Sequence, residues 1–286
     1  MGEIILDAHA KINLGLDITG LRGDGYHLVD MVMQAVTLSD RIIIKDNGSS
    51  DIRLTSDAEH IPLDEHNLAY KAAKLMQDAF PGTGGVEIHI EKNIPVAAGL
   101  AGGSTDAAAV MTGINELFGL GTDKRKLMEM AVKLGADVPY CIFGGTARAE
   151  GIGEVVTAIR DLSECFILIS KPSCSVSTAE TYKRYDALTE VAHPDIEGMI
   201  RSINSGDLTG MAAKMGNVLE YVTEPIHPII GDIKRIMREN GAISSMMSGS
   251  GPSVFGIFDD EEKLGIAKTR IEDLGLCTEN HACRPV

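Results

Sequence analysis

Apolar residues fall in short β-branched-rich runs bounded by Gly, Asp or Asn through most of the first ninety positions. They predict strands over Ile4 to Ala8, Ile12 to Thr19, Met31 to Leu38, Arg41 to Lys45 and Val86 to Glu91. Over Ala10-Lys-Ile-Asn-Leu14, alternation puts Lys11 and Asn13 together on one face, a polar face in an otherwise apolar strand. Helical spacing interrupts the strands at Leu68, Ala72, Leu75, Met76 and Ala79, with Asn67 able to cap the start and Pro81-Gly82 ending the pattern. Beyond Gly103 good helix formers run from Ser104 and Thr105 to Phe118 and stop at Gly119 and Gly121. A second helix from about Asp123 ends at Gly135, which delivers Ala136-Asp137-Val138-Pro139 as a loop. Glycine pairs flank a strand over Thr146 to Ala149, and Cys165 to Ser170 is another, with a lobe boundary near Asp161. Helices follow over Thr178 to Leu188, Ile196 to Ile203 and Pro228 to Asn240. The strands Ile243 to Met247 and Ser253 to Phe258 then flank Ser248-Gly-Ser-Gly-Pro252 as a hairpin, and a helix from about Asp260 to Leu274 leads to a strand near His281.

Composition narrows what such a chain does. Its 286 residues, 44% hydrophobic, suffice for one large domain or two packed lobes, and with no Trp and 4% aromatics the core is aliphatic. A formal charge of -15 argues against a nucleic-acid surface, and the scarcity of aromatics argues against base-stacking platforms for single strands. An anionic small ligand therefore needs backbone N–H groups, a few placed lysines and a counter-cation, for which Mg²⁺ is expected. The five cysteines are scattered, with no C-x-x-C pair. No apolar run reaches the roughly 18 residues of a membrane span. With no signal-peptide pattern either, the expected setting is cytoplasmic, without membrane or nucleic-acid partners.

The glycine-rich stretch Pro95-Val-Ala-Ala-Gly-Leu-Ala-Gly-Gly-Ser-Thr105 feeds directly into a helix. Gly99, Gly102 and Gly103 let a backbone approach a ligand closely, and N–H groups at a helix start collect phosphate. Ser104 adds a hydroxyl for phosphate or metal. The stretch is not a P-loop, since Gly103 stands where the lysine belongs, and Gly99-Leu-Ala-Gly-Gly does not match G-x-G-x-x-G. Alone it also admits the plainer reading of a tight strand-to-helix connection whose glycines serve packing. Each other constellation has a plain alternative too. Lys11 also suits a solvent-facing strand, Tyr26-His27 between glycines a hairpin turn, Asp137 a helix cap or turn, and Ser248 to Ser253 an unliganded hairpin.

Taken together and in order, these segments resemble the GHMP kinases. Ala10-Lys-Ile-Asn-Leu14 is similar to the family's first motif, Pro95 to Thr105 to its phosphate loop, and Met247-Ser-Gly-Ser-Gly-Pro-Ser-Val-Phe255 to its C-terminal glycine loop. Arg22-Gly-Asp-Gly-Tyr-His-Leu28, Gly135-Ala-Asp-Val-Pro139 and Gly144 to Glu154 resemble the branch whose acceptor is the 2-hydroxyl of a cytidylyl methylerythritol, on the non-mevalonate route to isoprenoid precursors. The resemblance implies an α+β fold of two lobes, a ribosomal-protein-S5-like N-terminal lobe over 1–160 and a ferredoxin-like C-terminal lobe over 161–286. It implies ATP as co-substrate with Mg²⁺, a small-molecule substrate, and a chain acting as a monomer or homodimer.

The resemblance also assigns residues. Lys11 and Asp137 match the catalytic pair. Pro95, Val96, Ala97, Ala98, Gly99, Leu100, Ala101, Gly102, Gly103, Ser104 and Thr105 match the phosphate loop, with Ser104 the candidate metal contact. Asn67 and Lys92 match positions near the adenine. Asn13, Tyr26 and His27 match the cytidine and diphosphate contacts, with Thr178 and Tyr182 closing that pocket. Many relatives carry more glycine where this chain has Ala97, Ala98 and Ala101; alanine is tolerable there if these residues do not need positive φ, and their individual contacts stay open. Two other outcomes stay open: a kinase of the same family acting on homoserine or mevalonate, and a non-catalytic binding protein.

Overall fold

The computed structural model describes residues 2–286. Two compact units divide the chain: one holds the residues up to Ala10, Leu38–Val96 and Ala101–Gly144, the other Lys11–Thr37, Ala97–Leu100 and Gly145–Val286. A single cut near Asp161 falls inside the second unit, because the long strands β1 (Glu3–Leu21) and β2 (His27–Asp46) contribute to both. Each of these strands joins two runs that the sequence pattern separates. At Asp40 the expected break does not form, because its buried carboxylate accepts the Asn93 and Ile94 amides, so this turn-former is satisfied without a turn.

In the first unit, chain order gives β3 (Ile52–Ser56), α1 (Leu68–Ala79), β4 (Val86–Glu91), α2 (Gly102–Leu117), α3 (Lys124–Ala131) and α4 (Val138–Phe143). Antiparallel pairing sets Arg41 of β2 opposite Glu91 of β4, and β3 runs parallel to β4 with Ile52 opposite Val86. Period two buries Ile42 and Ile44 of β2 with Ile88 and Ile90 of β4. The helices cover them with small side chains, Ala69, Ala72 and Ala73 on α1 and Ala107 and Ala108 on α2, so backbones pack closely. Val138 and Pro139 were expected in a loop. They open α4 instead, with proline in its first turn, where its missing N–H costs nothing.

The second unit continues with β5 (Thr146–Gly151), β6 (Val155–Ala158), β7 (Phe166–Lys171), α5 (Thr178–Tyr185), α6 (Ile196–Ser205), α7 (Leu208–Ala212), β8 (Gly216–Asn217), α8 (Glu220–Ile226), α9 (Ile229–Glu239), β9 (Ser244–Met247), β10 (Val254–Phe258), α10 (Glu261–Asp273) and β11 (Glu279–Cys283). Here β5 pairs antiparallel with the start of β2, and β8 pairs parallel with β1 at Gly15 and Leu16. A four-stranded antiparallel sheet in the order β11-β7-β10-β9 takes α9 and α10 against it through Ile233, Met237, Leu264 and Ile271. Its chain order of strand, helices, two strands, helix and strand is the ferredoxin-like arrangement. Among the elements the pattern did not predict, β3, β6, α7, β8 and α8 are too short to establish a period.

Because period two in β4 divides core from solvent, Ile88→Ala is expected to lower unfolding free energy by about 2–5 kcal/mol. Its exposed neighbour Glu87→Ala should change it by no more than about 0.5 kcal/mol. Denaturant titration of both variants checks the contrast.

Candidate functional site

Two loops of the second unit meet backbone to backbone. The Lys11 amide donates to Leu100 O at 3.1 Å and the Ser253 amide to Ala98 O at 3.3 Å. The Ser248 hydroxyl donates to Gly99 O at 2.9 Å. Gly99 has φ 76°, and a Cβ there would overlap the Ser248 carbonyl oxygen, so no other residue fits without moving a backbone. Asn217 ties the same loop to β8: its buried amide donates to Met247 O at 2.9 Å and to Gly249 O at 2.8 Å. Beside this loop lies the Lys11 ammonium, since a Cβ on Gly249 would stand 3.5 Å from Nζ. Lys11 is buried and donates to Asn13 Oδ1 at 2.6 Å, which puts the two expected residues on one face. Polar side chains turned inward rather than to solvent are unusual in a strand and are stable here because they pair.

At the start of β2, Tyr26 is exposed with the Arg22 guanidinium 5.3 Å from its ring centroid. His27 meets α5: its ring centroid is 4.8 Å from that of Tyr182, and Nε2 lies 2.6 Å from Asp186 Oδ1. Thr178, in the first turn of α5, shares a 2.8 Å hydrogen bond with the Ser250 hydroxyl.

In the first unit, α2 begins without a side-chain cap. Ala101, its N-cap residue, is left-handed, and the first amide of the helix with a carbonyl partner four residues back is Thr105, bonded to Ala101 O at 2.9 Å. The amides of Gly102, Gly103 and Ser104 therefore have no acceptor within the helix, and the helix dipole adds partial positive charge there. That is the chemistry an anion needs. Thr105 turns inward and donates to His9 O at 2.7 Å, while Ser104 remains half-buried. Ala97 at φ 53° and Ala101 at φ 59° do adopt the positive φ that disfavours alanine, whereas Ala98 does not.

The other predicted residues of this unit are committed or half-committed. Asn67 caps α1, accepting the Ala69 amide at 2.8 Å and donating to Pro62 O. The side chain of Lys92 is buried and pairs with Asp40 and, at 2.8 Å, with Asp106. Asp137 occupies the N-cap position of α4 yet caps nothing with its side chain. Asp40, Asp106, Asn217 and Asp186 were not singled out from the sequence. Only Asp106 carried a signal, as the one charge in an alanine-rich helix start.

Two carboxylates and one ammonium buried together leave an excess negative charge. Asp40 accepts three donors, whereas Asp106 accepts only Lys92 and its Oδ1 has no partner. The proton therefore goes to Asp106, whose carboxyl is pushed up to about 8 by burial and by Asp40, against the pull of Lys92. Burial works against the Lys92 charge, but Asp106 and Asp40 together hold it raised.

Among the described residues, no group of three His, Cys, Asp or Glu side chains comes together as a metal site, and no helix is long and apolar enough to cross a membrane. The description "GHMP kinases N terminal domain" matches residues 67–145 and "GHMP kinases C terminal" matches residues 199–275. The chain is 51% identical over 264 residues to the 4-diphosphocytidyl-2-C-methyl-D-erythritol kinase of Lachnospira eligens, covering 92% of each chain. It is 48% identical to the same-named protein of Alkaliphilus metalliredigens, over 96% of this chain and 94% of that one. A crystal structure of 4-(cytidine 5'-diphospho)-2C-methyl-D-erythritol kinase superposes with a TM-score of 0.83 at 29% identity, covering 99% of both chains. Homoserine kinase from Cytophaga hutchinsonii shares the fold, with a TM-score of 0.80 at 20% identity over 100% of this chain and 95% of that one.

Gly99→Ala is expected to cost about 2–5 kcal/mol, from the left-handed backbone and the overlap with Ser248. Ala101→Gly should gain up to about 1 kcal/mol by relieving its positive φ. Thermal denaturation distinguishes both from the parent. For Asp106 the proton is held more tightly folded than unfolded, where an aspartate titrates near ~3.9. Its stabilisation is thus full below about pH 4 and is lost as pH rises through about 8. The melting temperature should therefore fall between pH 6 and pH 9, on the order of what this window implies, and Asp106→Asn, which mimics the protonated acid, should flatten the decline.

Proposed function

The chain belongs to the GHMP kinases, and from that membership we infer an ATP-dependent small-molecule kinase that phosphorylates the 2-hydroxyl of 4-diphosphocytidyl-2-C-methyl-D-erythritol, on the non-mevalonate route to isoprenoid precursors. The observation that carries the phosphate chemistry is the uncapped start of α2, with the amides of Gly102, Gly103 and Ser104 open to an anion. The acceptor's identity is supported by relatives of the same name at about half identity over nearly the whole chain.

Pro95 to Thr105 are the proposed phosphate loop, and positioning with electrostatics supplies most of the rate enhancement in phosphoryl transfer. The acceptor oxygen forms a bond to the γ-phosphorus as the bond to the ADP oxygen breaks. Asp137, whose carboxylate is not used in capping, is the proposed acceptor of the hydroxyl proton. Lys11 is proposed to orient that hydroxyl and stabilise the negative charge developing around it, its ammonium held in place by Asn13. The Ser104 hydroxyl suits a divalent cation whose other ligands are phosphate oxygens and water. Mg²⁺, when bound, supplies charge neutralisation at those oxygens.

Asn67 and Lys92 have their polar tips engaged elsewhere, so their proposed effect near adenine is through placement of the backbone rather than through those tips. Tyr26 and His27, with Asn13 and Thr178, are the proposed reading surface for the cytidine diphosphate: an aromatic face to stack and an imidazole for the base edge. Acting on a soluble metabolite, the enzyme is proposed to be cytoplasmic, as a monomer or homodimer.

Purified protein given ATP and Mg²⁺ is expected to phosphorylate the cytidylyl alcohol and not homoserine; transfer to homoserine alone would refute the assignment. Asp137→Asn should lower kcat by about 10²–10⁴-fold with little change in the KM for ATP, read in a coupled ADP assay.

A further inference from the structure

Tyr182 and Asp186 are four residues apart across the end of α5, so both lie on one helical face. That face meets the side chain of His27, 159 residues before Asp186 in the chain. The His27 ring lies 4.8 Å from the Tyr182 ring at 41°, and its Nε2 is 2.6 Å from Asp186 Oδ1. The His27 side chain is only 14% exposed, while that of Asp186 is 50% exposed. The hydrogen bond is therefore short and sheltered on the imidazole side.

A carboxylate accepts and cannot donate, so this contact puts the imidazole hydrogen on Nε2. In the neutral ring the lone pair is then on Nδ1, the one acceptor the imidazole can offer to a base. A fixed acceptor distinguishes two pyrimidines that otherwise have nearly the same shape. Cytosine carries an exocyclic amine at position 4, a donor, whereas a base of the uracil type carries a carbonyl there, an acceptor. Facing Nδ1, the amine gains a hydrogen bond and the carbonyl meets a lone pair.

We propose that Asp186 is a positioning residue for base selection: it locks His27 in the Nε2–H tautomer and so makes the site prefer a cytidylyl over a uridylyl acceptor. Tyr182 assists by fixing the plane of the ring. This inference rests on the cytidylyl acceptor proposed above. Asp186 touches neither the acceptor hydroxyl nor the nucleotide phosphates in this scheme, and its whole effect passes through one imidazole.

The test uses the full-length protein with Asp186→Ala and Asp186→Asn, half-exposed changes that leave the core untouched. Steady-state rates are measured with the cytidylyl alcohol and with its uridylyl analogue. Asp186→Ala is expected to raise the KM for the cytidylyl acceptor about tenfold and to shrink the cytidylyl-to-uridylyl preference in kcat/KM by a similar factor, with kcat and the KM for ATP within about twofold. The ¹⁵N shifts of the His27 ring should report Nε2–H in the parent and a tautomer mixture in Asp186→Ala. An unchanged base preference in both variants, or an Nδ1–H tautomer in the parent, overturns the proposal. A parent protein that transfers phosphate to no cytidylyl acceptor overturns the functional assignment instead, and the ring shifts still report the tautomer.

Discussion

The second unit is organised around one missing Cβ. At Gly99 two backbones come so close that the Ser248 carbonyl occupies the space any side chain would need, while the Ser248 hydroxyl returns a 2.9 Å hydrogen bond to Gly99 O. Leu100, next in the chain, holds the Lys11 amide, and Gly249, next after Ser248, lies beside the Lys11 ammonium. One contact thus sets the surroundings of the lysine from two directions. Asn217 extends the constraint to β8 by holding Met247 and Gly249 through both hydrogens of its amide group.

The first unit solves a different problem, that of buried charge. Lys92 sits under the start of α2, where a Cβ on Gly102 would be 3.1 Å from its Nζ. A bare ammonium there would be expensive, and two carboxylates would overcompensate it. Sharing a proton through Asp106 leaves the cluster near neutrality, so the field at the helix start comes from the backbone amides rather than from a net buried charge. In a chain of net charge -15 this separation matters, because a polyanionic ligand approaches against the global potential and must be met by local donors.

Fold and chemistry separate cleanly here. The ferredoxin-like sheet and the helix-covered sheet of the first unit are shared with kinases of other acceptors, so topology does not select the substrate. In the proposed reading, selection falls to a few side chains placed on that frame, among them the imidazole of His27 and the carboxylate hydrogen-bonded to it.

Much was legible in the chain itself. The helices α1, α2 and α9, the β9–β10 hairpin, the shared face of Lys11 and Asn13 and the glycine loop all follow from local rules of spacing, capping and turn chemistry. Short elements such as β8 and α8 left no period to read, and Asp40 looked like a break because its buried partners, the Asn93 and Ile94 amides, lie more than fifty residues away. Asn217 and Asp186 left no signal in the sequence for the same reason: their partners are distant in the chain. What the sequence determined by itself was which segments are candidates for phosphate and hydroxyl chemistry, since residue type and turn-forming composition are local properties. Only the tertiary structure decided that Ala97 and Ala101 adopt positive φ, that Lys92 is spent on two aspartates, and that His27 answers to Asp186, because hydrogen bonds and burial depend on neighbours that sequence distance does not reveal.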